Sequence, residues 1–333
     1  MLHLAVTAKS PGAVAPVVGA PRSEAVAEAV RQDGVFVALA IAVVFGIVAV
    51  PNFATIANLD AILRQVAVLG IVALGQTFVI LTGGIDLSVG MLMGLVTVLS
   101  NGIMAGDAAL IPVIVLLALA IGAIVGLANG VGVVFFRVHP LIVTLAMMSV
   151  LQGVIFLYTD RTVGSAPPEF RELAYGDVGP LPTSIVLLAI LTALCWLILR
   201  HVPLGRYIYA VGSDAASARR AGISVGRVTV AAYIICGVLA AVAGLVLAAR
   251  LGSGYTGAGA GFELDSIVAV VLGGTALSGG RGGVLGTIAG VLLLALIANM
   301  LNLLGISPFT QQIVNGLIII GANAIYTARR RES

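Results

Sequence analysis

Ionised side chains are so scarce in this chain that it has no means of covering a surface that faces water. Asp, Glu, Lys and Arg make up 9% of its 333 residues and 60% are hydrophobic, whereas soluble domains carry roughly a quarter charged residues. The solvent for its surface is therefore lipid. At about 20 apolar residues per crossing, ten crossings occupy about 200 positions, which leaves almost nothing for an extramembrane domain. The chain also has 42 glycines, about twice the ordinary share. In lipid such an excess marks backbones packed against each other, or helices broken along a pathway.

Apolar runs fall at 35–51, 65–82, 87–105, 109–136, 140–158, 183–200, 227–250, 264–280, 283–304 and 309–327. They predict an all-α polytopic membrane fold of about ten transmembrane helices, some broken, with both termini cytoplasmic. Residues 1–34 read as a cytoplasmic tail ending in an interfacial helix, 35–327 as the transmembrane domain and 328–333 as a short cytoplasmic tail. Prolines 11, 16 and 21 interrupt the stretch after Lys9, which argues against a secretory signal. The longest polar interruptions, 159–182 and 201–226, are where partners would be met.

Basic residues set the orientation. With the amino terminus inside and ten crossings, 13 of the 17 basic residues face inward, and Arg64, Arg161, Arg171 and Arg250 face outward. The least apolar run, 264–280, contains Asp265 and four glycines and invites a re-entrant reading. That reading would put Arg329, Arg330 and Arg331 outside, so a broken crossing is expected. Glycines at spacing four recur as Gly122, Gly126 and Gly130, as Gly90 and Gly94, and as Gly286 and Gly290. Packing within one subunit is favoured over a dimer seam for each.

Little points to catalysis. His3, His139 and His201 lie in the tail or at inner loop edges, none at metal-ligand spacing to another His or Cys. Cys195 and Cys236 lie in apolar runs and read as small buried hydrophobes. A phosphate-binding P-loop needs a lysine, and the one lysine is Lys9 in a proline-rich tail. Energy for active transport would therefore come from an ion gradient or from a separate subunit. A gradient needs ionisable groups within the spans, and only Asp86 comes close. Its plainer role is to cap a helix beginning at Leu87, accepting from the amide of Ser88 or Val89. A separate subunit needs a polar, helix-forming inner loop. Residues 212–223 fit, with Ser213 or Asp214 as cap, an alanine-rich body that includes Ala218, Arg219 and Arg220 at its carboxyl end, and Gly222 as stop before Ile223. A basic loop held to anionic lipid fits the same residues equally well.

Three stretches carry a family resemblance. The run from Gly75 through Gly83-Gly84-Ile85-Asp86-Leu87-Ser88 to Gly90, the run from Leu204 through Gly212 to Ile223, and the run from Gly261 through Gly273-Gly274-Thr275 and Gly279-Gly280 to Gly286 resemble ribose-type permeases of bacterial ABC importers. The carboxyl-terminal Asn302-Leu303-Leu304-Gly305-Ile306 is similar as well, so the likeness extends over about residues 60 to 327. It implies a permease of the bacterial inner membrane that pairs with a second copy, like or unlike itself, and with cytoplasmic ATPase subunits. ATP and Mg would be held there, with no cofactor in this chain. A periplasmic or lipid-anchored binding protein would deliver a monosaccharide or related solute, with autoinducer-2, nucleosides or branched-chain amino acids as the alternative cargo of the same fold, and nucleic acid is no partner. By the same resemblance Gly212, Ser213, Asp214, Ala218, Arg219, Arg220, Gly222 and Ile223 form a coupling helix that docks on the ATPase. Gly83, Gly84, Asp86, Ser88, Gly273, Gly274, Thr275, Gly279 and Gly280 are the candidate path or hinge, with close packing as the alternative role of the glycines.

Overall fold

The computed structural model describes residues 22–307 and positions 310, 313 and 316, with side chains from Gly34 onward. The first helix, α1 (Arg22–Ala49), is continuous, so no separate interfacial helix ends at residue 34. The hydroxyl of Thr55 accepts from the Asn58 amide at 3.3 Å and starts α2 (Ile56–Leu81) well before its apolar run at 65. A non-helical stretch, 82–88, in which Gly84, Asp86 and Ser88 are buried, leads to α3 (Val89–Met104), which Ala105 ends in the left-handed region. Beyond a 3-10 turn, Ala108–Leu110, follow α4 (Ile111–Val134) and α5 (Pro140–Tyr158), each opened by a proline whose missing N–H costs nothing in a first turn.

The polar stretch 159–182 is ordered. It forms α6 (Pro168–Tyr175) and a hairpin of β1 (Asp177–Val178) with β2 (Leu181–Pro182). Arg64 of α2 ties this cap down, reaching Asp60 at 2.8 Å, Asp177 at 2.9 Å and the Ala174 carbonyl at 2.7 Å. Then come α7 (Thr183–His201), α8 (Pro203–Ser213), α9 (Ala215–Arg220), α10 (Val225–Leu251), α11 (Phe262–Leu272) and α12 (Val284–Leu303).

Six helices among the described residues are long and apolar enough to cross a bilayer, namely α2, α4 with its preceding turn, α5, α7, α10 and α12. Gly34–Ala49 and Val89–Met104 are shorter apolar helices. The tenth expected run, 309–327, lies outside the described residues apart from three helical positions. The expected crossing at 264–280 contains only an eleven-residue helix, α11. It is interrupted on both sides, by 252–261 before it and 273–283 after it.

The bundle is built around α2 and α10. The central window of α2 is 83% buried, against 22% for α4 and α7 and 17% for α5, so the last three carry the lipid face. Glycine makes these contacts close. A Cβ on Gly122 would overlap the Gly237 carbonyl, one on Gly126 the Tyr233 carbonyl, and Gly130 sits against Val230, so the whole α4 ladder seats on α10 of the same chain. Gly286 and Gly290 seat on Gly273 and Ala269 of α11 in the same way. With no hydrophobic drive between helices in lipid, this contact area is what holds them. Cys195 and Cys236 are buried and unpaired.

Candidate coupling site and the buried polar cluster

The 201–226 loop holds two helices where one was expected. Pro203 opens α8, which buries Gly205, Ile208 and Val211 on one face. The next helix, α9, is fixed by its ends. Asp214 accepts from the Ala216 amide at 2.9 Å and from the Ser217 hydroxyl, and the Arg220 guanidinium donates to that same hydroxyl at 2.7 Å. The Ser217 hydroxyl, with the Ser217 and Ala216 amides, holds the Asp214 carboxyl below the usual aspartate range. At the other end Gly222 turns to a φ of 81°, its amide bonding the Arg219 carbonyl at 3.0 Å while Ile223 bonds Ala218 at 3.0 Å. Of α9 only Ala218 is buried; Asp214 to Ser217 and Arg219 to Gly222 face outward. Arg200, Arg206, Arg227 and Arg281 are exposed as well.

Immediately before α9 the three separated motifs meet. The Gly280 amide donates to the Leu81 carbonyl at 2.9 Å. A Cβ on Gly212 would overlap that carbonyl and stand 2.5 Å from the Gly280 nitrogen, and one on Gly280 would stand 2.5 Å from the Ser213 hydroxyl oxygen. Gly279 presses on Gly83, where a Cβ would come within 2.8 Å of the Gly83 nitrogen. Tyr209 of α8 donates to the Gly282 carbonyl at 2.9 Å, and the Gly283 amide reaches the Thr275 hydroxyl at 3.3 Å. The end of α2, the end of α8 and the turn before α12 are thus locked backbone to backbone. The candidate hinge glycines do two things at once: Gly83, Gly274, Gly279 and Gly280 have φ of 82°, 87°, 85° and 74°, while Gly84 and Gly273 are excluded from bearing side chains by Tyr233 and Gly286.

Asp86 and Ser88 lie elsewhere, in a buried polar cluster. Asp86 accepts from the Ser88 amide at 2.9 Å, as expected of a cap, but α3 begins at Val89 rather than Leu87. The Ser88 hydroxyl adds a bond at 2.6 Å, and the Asn129 side-chain amide from α4 donates to both Asp86 oxygens at 3.3 Å and to Ser88 at 2.9 Å. Gln76 holds the Asp86 carbonyl at 3.2 Å, while Tyr233 and Thr144 hold that of Ile85 at 3.4 Å. Four helices, α2, α4, α5 and α10, are thereby pinned to one non-helical stretch, and their side chains satisfy backbone carbonyls that have no helical partner. Asn129 is marked in the sequence only as an amide side chain in the middle of an otherwise apolar span. Ser88 and Thr275, expected along a path, are 0% and 2% exposed.

The chain matches a family model described as branched-chain amino acid transport system / permease component over residues 58–323. It is 44% identical over 275 residues to the ribose import permease protein RbsC of Escherichia coli K12, covering 81% of this chain and 85% of that one. Identity is 40% to the RbsC of Bacillus subtilis, over 87% and 91% of the two chains. It is 34% to the galactose/methyl galactoside import permease protein MglC of Haemophilus influenzae, over 89% and 94%. No solved structure matches the chain.

Proposed function

Because this chain belongs to the branched-chain amino acid transport system / permease component family, we propose that it is the permease subunit of an ATP-driven ABC importer, moving a monosaccharide or related polyhydroxy solute. The solute is delivered by a periplasmic or lipid-anchored binding protein, and the subunit works beside a second permease copy in the bacterial inner membrane. The relatives' names supply the sugar class. Ten crossings with both termini cytoplasmic follow from the 13 of 17 basic residues that this arrangement places inside.

The observation that carries the coupling role is the lock between Leu81, Gly212 and Gly280 directly before the exposed α9. A helix docked in a groove of the ATPase would move with it. No side chain lies between Gly212 and its two neighbours to absorb the displacement, so motion passes to the end of α2 and to the turn before α12. ATP and Mg stay in the partner. The chain's single lysine, Lys9, lies in the proline-rich tail and not in a P-loop.

In the complex reconstituted with its ATPase and binding protein, Gly222→Pro or Asp214→Arg abolishes substrate-stimulated ATP hydrolysis while the permease stays folded. Normal stimulation in both variants removes α9 from the coupling role. Uptake into liposomes by the purified chain without any ATPase would establish a gradient-driven carrier instead.

A further inference from the structure

Residues 252–261 join α10 to α11 without regular structure, and they do so inside the bundle. Gly252 ends α10 in the left-handed region, after which Gly254 packs on Val98 of α3 and Gly259 fits against Gly90 and Gly94, where a Cβ would overlap the Gly90 carbonyl. From Val98 to Gly90 is a little over two turns of α3, about 12 Å of descent. This part of α3 is deep in the protein. Thr97 bonds the Gly244 carbonyl of α10 at 3.3 Å, and the stretch before α3 is held by Gln76 from within α2.

Backbone at that depth has to be satisfied by protein or water, because hydrocarbon offers neither donor nor acceptor. One side of the segment is satisfied. Gly254 and Val163 exchange two bonds of 2.8 and 2.9 Å, Ala258 bonds Tyr255 at 3.1 Å, Ala260 bonds Gly257 at 3.1 Å, and the Gly261 amide is held by the Glu263 carboxylate at 3.1 Å. The other side is not. Tyr255, Gly257 and Ala260 are exposed and Thr256 is half-buried, and the carbonyls of Thr256 and Ala260 and the Thr256 hydroxyl have no partner among the described residues. Hydrocarbon against this face would strand every one of those groups.

We propose that residues 252–261 form a water-filled wall of the solute path, on which the hydroxyls of a neutral polyhydroxy solute exchange hydrogen bonds with the Thr256 and Ala260 carbonyls and the Thr256 hydroxyl. Tyr255, whose ring lies over Gly257, supplies an amphipathic surface beside them. The identity of the solute rests on the sugar-permease reading; the wetness of the wall does not. A dry seam with a second permease copy is the competing arrangement, since it also keeps lipid off the backbone.

Ala260→Cys and Thr256→Cys, each in the complete complex in liposomes, are exposed to a membrane-impermeant methanethiosulfonate, with Leu116→Cys on the 69%-exposed lipid face of α4 as reference. The buried Cys195 and Cys236 give the parent protein a low background. At least one of the two wall cysteines reacts roughly tenfold or more faster than the α4 reference in some nucleotide state, because the thiolate forms only in contact with water. Rates no faster than the reference at both positions in every nucleotide state overturn the proposal and assign the face to the dry seam. Uptake of D-ribose, D-galactose and D-fructose by the same vesicles answers the separate question. A labelled wall with no uptake of any of the three counts against the sugar reading and leaves the wall standing.

Discussion

The Gly280 amide donates to the Leu81 carbonyl at 2.9 Å, and Gly212 closes over the same carbonyl with no room for a Cβ. Residues far apart in the chain therefore share one backbone contact, and it sits one step from the helix proposed to meet the ATPase. Gly212→Ala forces the contact apart. The expected cost is about 1–3 kcal/mol, in the range for overpacking, together with a loss of substrate-stimulated ATP hydrolysis that exceeds any loss of basal hydrolysis. Equal stimulation in Gly212→Ala and the parent complex would show that the lock is not the route of coupling.

The capping aspartate gives α9 a pH dependence of known sign. The Asp214 carboxyl is held below its ordinary value by the Ser217 hydroxyl and the neighbouring amides. Its contribution to the helix is complete above the unfolded value, near about pH 4, and disappears as pH falls through the lower folded value. Hydrogen exchange at Ala216 and Ser217, corrected for intrinsic rate, is flat from neutral pH down to that region and then rises. In Asp214→Asn, which keeps a capping oxygen without a titrating group, the acid rise is absent.

The polar cluster is a stability element. Asp86→Leu leaves the Ser88 amide and the Ser88 hydroxyl without their acceptor in a buried place, and takes from the Asn129 side chain one of its two. At about 1–3 kcal/mol for a stranded buried group, thermal unfolding in detergent shifts down by several degrees at least. Asn129→Leu removes the side-chain donor to both carboxylate oxygens, leaving Asp86 only its bonds from Ser88, and destabilises as well. The double variant costs less than the sum of the two singles, since each single leaves behind what the other removes; simple additivity would disprove that the two residues act as a pair.

Glycine on α4 separates packing from mere helix propensity. Gly126→Leu drives a side chain into the Tyr233 carbonyl of α10, whereas a Cβ on Gly153 of α5 meets nothing within 4 Å, which leaves Gly153→Leu room to point outward. The first loses folded protein in a detergent stability assay and the second does not, and it gains slightly from better helix propensity. Similar losses for both would mean that α5 has a partner surface of its own, such as the second permease copy.

Much of the fold is local enough to be read from the chain alone. Hydropathy over some twenty residues is a property of that window, so nine of the ten apolar runs fall on helices among the described residues. The α9 helix is equally legible, because Asp214, the alanines and Gly222 act within two turns. Where neighbours in sequence are not neighbours in space, the reading stopped. Helix α8 was read only as a motif, and Asn129 had no reason to be singled out until α4 lay against the turn at Asp86, 43 residues away in sequence.

Lipid as solvent, the sequence positions of the apolar helices, the lack of a P-loop lysine and the capped helix α9 are set by composition and short-range chemistry. Tertiary structure decided the rest. It gave four of the candidate hinge glycines left-handed turns and set Gly84 and Gly273 against facing atoms that exclude side chains. It also set irregular backbone on both sides of the short helix that stands in the eighth run, where a broken crossing is expected. The physical reason is the same in each case. A backbone group deprived of water must find its partner somewhere in the protein, and only the folded chain determines which distant residue that is.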